Sequence, residues 1–186
     1  MNKKSGSIAL ILLTSKNLNK ELVVVSKKLK QADPKQDIYP EKSFHCTIKE
    51  VTQFNGSPNQ TDIKYYIKQI DSVINKINPF EIEVNGVSNF PNVVIAKVYS
   101  KNKKLHNYHN LFCKVLPSSF PKFEKANYIP HITLNHIVSD SQKILEEAKK
   151  YKTQNFGKMV VTEIILAKFY PSFSGKITVL KKYKLK

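Results

Sequence analysis

The sequence predicts an α+β protein. It is expected to be bilobal, with two pseudo-symmetric lobes of antiparallel sheets flanked by helices and an active-site groove between them. Three observations predict this. Short strand patterns and helical patterns alternate along the whole chain, and no stretch of disordered composition separates them. The order strand, helix, strand occurs twice at an offset of 86 residues. Each copy closes on a strand that carries His-x-Thr, at His45 and Thr47 and again at His131 and Thr133.

Residues 7–14 are an apolar run with polar flanks, the pattern of a buried first strand. Leu18, Leu22, Val25 and Leu29 then recur at helical spacing, and Asp33-Pro34 ends that helix. A polar connection leads to a second strand over 43–51. Asn55-Gly56-Ser57-Pro58 is a turn. Thr61-Asp62 caps a helix bearing Ile63, Tyr66, Ile67, Ile70, Ile74 and Ile77. Residues 80–87 alternate as a strand, and 93–100 form another. A helix over 103–116 has Leu105, Tyr108, Phe112 and Leu116 as its stripe, and Pro117 and Pro121 break it. Residues 128–138 read as a strand, and Ser141 caps a short helix with Ile144, Leu145 and Ala148. Two last strands, 159–169 and 176–183, are joined by a turn at 171–175. At the 86-residue offset, strand 7–14 falls on 93–100, and the helix from Asn17 falls on the helix from Lys103. The repeat units are therefore about 7–87 and 93–169, interleaved in one domain over 1–186.

A chain of 186 residues, 41% hydrophobic and 24% charged, can bury a sizeable core as one unit. Its two cysteines, Cys46 and Cys113, are too few for a disulfide scaffold or a thiolate zinc site, and they fit a reducing compartment. The longest apolar run, Ile8 to Leu13, falls far short of the roughly 20 residues of a membrane span. It is also short for a signal core, and no small-x-small cleavage site follows it. A cytoplasmic monomer without membrane contact is expected. The net charge is +17, from 31 basic and 14 acidic residues, and every basic residue is lysine. Such a surface attracts polyanions, with RNA and nucleotides foremost. A composition rich in Lys, Asn and Ile and empty of Arg also fits drift in an AT-rich genome. With no arginine, no guanidinium fork can clamp a phosphate. Anion contacts fall to lysine, hydroxyls and backbone N–H groups.

The two motifs read Phe44-His45-Cys46-Thr47-Ile48 and Pro130-His131-Ile132-Thr133-Leu134. Strand alternation puts each His and Thr on one face and the apolar residues on the other. Two imidazoles and two hydroxyls facing one groove suit phosphoester chemistry without a metal. A neutral imidazole takes a proton from the attacking oxygen, and a protonated one gives a proton to the leaving oxygen. The hydroxyls donate to the non-bridging phosphoryl oxygens. By the same alternation, Lys49 and Asn135 are expected to face the groove next, and His136 to face away from it. Cys46 is aimed into the lobe as a small core residue. His106, His109 and Cys113 share a helix face, but Tyr108 and Phe112 beside them indicate ordinary packing, and no metal site is expected. Tyr39, Tyr128, Tyr170 and Phe173 are candidates for stacking a base at the rim.

Paired His-x-Thr-hydrophobic motifs at this separation resemble the 2H phosphoesterase superfamily, in its 2′-5′ RNA ligase-like and cyclic phosphodiesterase branch. The second motif, Tyr128-Ile-Pro-His131-Ile-Thr133-Leu134, and the ending from Val161 to Leu185 carry the likeness, which covers essentially the whole chain. The resemblance implies a metal-independent phosphodiesterase without cofactor. Its catalytic pairs are His45 with Thr47 and His131 with Thr133, with His131 as base and His45 as acid, roles that exchange with reaction direction. The sequence departs from the family at Lys49-Glu50-Val51, where many relatives have an apolar-Gly ending, and at Asn135, where many carry an arginine. Expected substrates are 2′,3′-cyclic phosphate ends or 2′-5′ linked oligonucleotides. The alternatives are a cyclic dinucleotide or 2′-5′ oligoadenylate messenger, RNA 2′-5′ ligation, and a non-catalytic module that binds RNA ends.

Overall fold

The computed structural model describes residues 5–138, 142–170 and 176–186. Its strands form one nine-stranded antiparallel sheet in the order β7-β4-β5-β6-β3-β1-β8-β9, with β2 beside β6. They are β1 (Ser5–Leu13), β2 (Asp37–Ile38), β3 (His45–Asn55), β4 (Phe80–Phe90), β5 (Val93–Ser100), β6 (His131–His136), β7 (Asn155–Val161), β8 (Glu163–Phe169) and β9 (Ile177–Lys184). The two halves of the sheet thus run into one another rather than standing as separate sheets. They join at the pair Cys46 and Ile132 of β3 and β6. These positions are related by the 86-residue offset, so equivalent residues of the two motifs meet at the joint.

The helices lie on one face of the sheet. α1 (Lys16–Ala32) starts at Ser15, whose side chain accepts from the Leu18 N–H, and buries Leu18, Leu22, Val25 and Leu29. That apolar stripe packs in the main core with Ile8, Leu10 and Leu12 of β1, Cys46 and Ile48 of β3, and Ile132 and Leu134 of β6. α3 (Lys104–Cys113) buries Leu105 and Phe112 against the same core, and α4 (Gln142–Lys149) buries Ile144. The opposite face of β1 and β8 holds only a small cluster, Ala9, Ile11, Ile165 and Ala167. β1 is therefore apolar on both sides because both of its faces are covered, the condition under which a strand loses its alternation.

Several boundaries differ from the sequence reading. Residues 159–169 hold the end of β7 and the whole of β8. β7 pairs with β4 and β8 with β1, in opposite halves of the sheet, so the chain changes partner at Thr162. The unbroken apolar character of the segment hides that switch. α2 (Gln60–Asp71) is capped by Asn59, whose side chain accepts from the Thr61 N–H at 2.8 Å, rather than by Thr61-Asp62. Ile74 belongs to a separate 3₁₀ turn (Ile74–Lys76), and Ile77 caps it. The Ser141 cap and the turn at 171–175 lie outside the described residues. No described helix is long and apolar enough to cross a membrane.

Candidate active site

Each motif histidine is held by the backbone of its own chain segment. His45 Nδ1 donates to the Ser43 carbonyl at 2.7 Å, and His131 Nδ1 donates to the Ile129 carbonyl at 2.7 Å. A carbonyl only accepts, so Nδ1 carries a proton in both rings and Nε2 is left as the titrating nitrogen. The acceptor stands two residues before the histidine in each case. Burial pulls both imidazoles below their usual value, and the carbonyl bonds work in the other direction. Repulsion from His131 lowers His45 a little further.

The register fixes which residues share their face. His45 pairs with Leu13 and Thr47 with Ile11 of β1, on the side away from the helices. In β5 and β6, His131 pairs with Lys97 and Thr133 with Ile95. Cys46 and Ile132 face each other on the helix side, and both are fully buried. The alternation expected for the two motifs therefore holds in the backbone. Burial pushes the Cys46 thiol up to about 12, so this cysteine is a protonated core residue.

Beyond the threonines the alternation breaks, in both strands at the same step. Ile11 pairs with Thr47 but Leu10 pairs with Lys49, which leaves Ile48 as a bulge residue. Ile95 pairs with Thr133 but Val94 pairs with Asn135, which leaves Leu134 as one. Each bulge reverses the face of the two residues that follow it, Lys49 and Glu50 in β3 and Asn135 and His136 in β6. Lys49 and Asn135, expected in the groove, turn instead to the helix side, where they are 1% and 0% exposed. Lys49 donates to the Glu50 carbonyl at 2.7 Å and forms an ion pair with Glu124. Asn135 bonds to Ser26 of α1, donating to its carbonyl at 3.2 Å and accepting from its hydroxyl at 3.0 Å. Conversely, Glu50 pairs with Ala9 and His136 pairs with Val93, so both share the face of the motif threonines. His136 was expected on the opposite face, and Glu50 was not expected at the site at all. They too are related by the 86-residue offset. Burial raises the Glu50 carboxyl and lowers the His136 imidazole. A bulge leaves no mark in hydrophobic spacing, so only the pairing reveals these two residues.

Aromatic rings flank the histidines. Tyr39 lies 5.8 Å from the His45 ring and 5.8 Å from the His136 ring, and Phe169 lies 5.7 Å from His45. Phe90 meets His131 edge-on at 5.0 Å. Of the expected rim aromatics, Tyr39 is thus beside His45. Tyr128 is buried at 8% exposure; its hydroxyl donates to the Thr47 carbonyl at 2.8 Å and its ring stacks on His109 at 4.0 Å. It supports the β3 backbone from the inner wall of the cavity described below, which it lines with little exposed surface. The Tyr170 hydroxyl donates to the Gly56 carbonyl at 3.2 Å, and its ring packs edge-on to Phe54, which ties it to the turn after β3. Phe173 lies outside the described residues.

A cavity of about 970 Å³ opens on one flank of the pair. Thr47, Glu50 and His131 line it from the sheet, and Phe120 and Phe123 line it from the loop 117–127. The loop that supplies these phenylalanines is anchored from behind. His109 Nδ1 donates to the Ile48 carbonyl at 2.7 Å, and its Nε2 accepts from the Lys125 N–H at 3.0 Å. A histidine so used at both nitrogens is a structural brace, as its packing with Tyr108 and Phe112 led us to expect. Among the described residues, no group of three His, Cys, Asp or Glu is placed to hold a metal ion.

Comparison with known proteins gives a family match. The model of the 2′-5′ RNA ligase superfamily matches residues 51–170, a stretch that contains the second His-x-Thr motif and starts just after the first. An RNA 2′,3′-cyclic phosphodiesterase of Aquifex aeolicus (strain VF5) is 28% identical over 181 residues, covering 92% of this chain and 93% of its own. Among solved structures, TT0787 of Thermus thermophilus superposes with a TM-score of 0.71 at 16% identity, covering 96% of this chain and 97% of its own. Escherichia coli LigT complexed with NADP+ gives 0.68 at 15% identity, with 97% and 98% covered. These structures share the fold.

Proposed function

The chain belongs to the 2′-5′ RNA ligase superfamily, the 2H phosphoesterases, and is a phosphodiesterase; from that premise we propose that it opens 2′,3′-cyclic phosphates on nucleotides or RNA ends by metal-independent two-histidine catalysis. The name of the Aquifex relative supports the substrate class. The observation that carries the mechanism is the matched pair of Nδ1–carbonyl bonds, which commits one nitrogen of each ring and leaves Nε2 of each for proton transfer.

The step balances without any further reactant. One neutral imidazole takes a proton from water as the water oxygen bonds to phosphorus. The bond from phosphorus to one ribose oxygen breaks. The other imidazole, protonated, gives its proton to that oxygen. The products are a ribose phosphomonoester and a free hydroxyl, and the two rings have exchanged protonation states, which solvent restores. Thr47 and Thr133 donate to the non-bridging oxygens, where charge builds up in the transition state. Tyr39 packs over the His45 side. The threonines supply hydrogen bonds in place of a guanidinium fork, and the protonated imidazole supplies the positive charge.

The test is a panel of 2′,3′-cyclic, 2′-5′, 3′-5′ and cyclic dinucleotide substrates in excess EDTA, with products identified. Turnover of the 2′,3′-cyclic substrate to a monoester, undiminished by chelation, is the expected result. Loss of turnover on chelation refutes the metal-free step. Turnover of only the cyclic dinucleotide or the 2′-5′ linkage moves the reading to messenger degradation.

A further inference from the structure

The groove is not equally open at its two flanks. The cavity of about 970 Å³ reaches Thr47 and His131 but includes neither His45 nor Thr133 among its lining residues. On the other flank the His45 ring is packed by Tyr39 and Phe169. We propose that the cavity beside His131 holds the nucleobase next to the reacting phosphate, with Phe123 and Phe120 as its stacking surface. The inference rests on the reading of the groove as a phosphodiester site and adds the direction in which the substrate lies.

Three features carry it. The cavity is at the upper end of the roughly 300–1,000 Å³ of small-molecule pockets, so it extends well beyond the residues that act on a phosphate. Its loop lining is aromatic: Phe123 is 59% exposed, and Phe120 stands 6.3 Å from it. Such a ring gains by being covered with a flat apolar surface, and every nucleobase offers a π-face. The platform is also fixed before any ligand arrives. Pro121 opens its 3₁₀ turn (Pro121–Phe123), the Lys49 ion pair holds Glu124, and His109 holds the Lys125 N–H. Little ordering cost then remains for binding. Lys122, with its ammonium 4.9 Å from the Phe123 ring, puts a positive charge at the same rim, as a polyanion requires. Stacking of this kind tolerates any base, so the site favours nucleotides as a class over simple phosphates.

Calorimetric titration with adenosine 2′-monophosphate and with inorganic phosphate tests the proposal on wild type, Phe123→Ala and Phe123→Trp. The ring is exposed, so its loss does not open the core, and the phosphate titration shows whether the groove is intact. Wild type is expected to bind the nucleotide more tightly than phosphate. Phe123→Ala should weaken the nucleotide by about 5- to 100-fold with phosphate affinity unaltered, and Phe123→Trp should keep nucleotide affinity. Equal affinity of wild type for both ligands, or nucleotide affinity indifferent to Phe123→Ala, overturns the base site. Those results leave turnover of cyclic phosphates untouched. Phe123-dependent nucleotide binding in a protein that hydrolyses none of the panel overturns the hydrolytic reading instead and keeps the base site.

Discussion

β3 and β6 follow one plan for their first four residues and then part. In each, a histidine bonds back to a carbonyl two residues earlier, a threonine shares its face, and a bulge follows at Ile48 or Leu134. After the bulge, β3 buries a lysine paired to a loop carboxylate, where β6 buries an asparagine paired to α1. β3 then turns Glu50 to the groove face, and β6 turns His136. The shared part supplies what acid–base chemistry needs in duplicate, two proton sites and two donors. The divergent part decides what stands around them, an open cavity lined by loop phenylalanines beside His131 and packed rings beside His45. A groove built by near-symmetry thus acquires a direction through residues that lie outside the motifs.

The largest effect should come from the shared part. His45→Ala and His131→Ala are each expected to lower kcat/KM by about 10²–10⁴-fold, and the double variant little further, because one proton site without the other does not complete the step. Steady-state kinetics on a 2′,3′-cyclic nucleotide checks this. Near-normal turnover from either single variant would break the equivalence of the halves. Thr47→Val and Thr133→Val keep the shape of the side chain and remove the donor. Each should cost about 10²–10³-fold in kcat with KM little changed, the mark of an interaction made in the transition state.

The shared part was legible in the sequence because its signals are local. His-x-Thr with apolar neighbours states a strand, a face and a chemistry within five residues, and repetition at a fixed offset states that the strands are equivalent. The divergent part was not legible, for a physical reason. Extrapolating period-two alternation from Thr47 to Lys49, and from Thr133 to Asn135, assumes an unbroken ladder, and a bulge changes the face without changing any hydrophobic pattern. Tyr128 shows a related ambiguity. An aromatic before a motif reads the same whether its ring stands open at a rim or, as here, lines the cavity from beneath Thr47 with its hydroxyl already used. Phe120 and Phe123 belong to the loop 117–127, whose shape is set by Lys49 and His109 from distant parts of the chain.

The buried residues after the bulges offer a third comparison, in stability rather than rate. Lys49→Met leaves Glu124 without its cation at the cavity wall and should cost about 3 kcal/mol. Asn135→Ala removes neutral hydrogen bonds to Ser26 and should cost about 2 kcal/mol. Urea unfolding measures both. The two should also differ in kind: Lys49→Met loosens the loop bearing Phe123 and so weakens nucleotide binding, and Asn135→Ala has no path to that loop. Equal loss of nucleotide affinity in the two variants would show that the halves are coupled through the sheet.

The smallest expected effect is on the pH profile. Burial holds both motif imidazoles below the ordinary value of about 6.5, so the pair carries one proton only on the acid side of it. The kcat/KM profile should be a bell centred below about pH 6.5. Its acidic limb marks protonation of the second ring, and its alkaline limb marks loss of the proton from the first. Each limb belongs to the pair, yet a change of surroundings acts mainly on the nearer ring. Tyr39→Leu thins the cover over His45, lessens its desolvation and should raise one limb toward 6.5 by less than about one unit. Phe90→Ala does the same for His131 and should raise the other. If each variant moves a different limb, each half of the sheet contributes one proton site. If both move the same limb, a single histidine titrates in the working range, and the two halves are not partners in acid–base exchange.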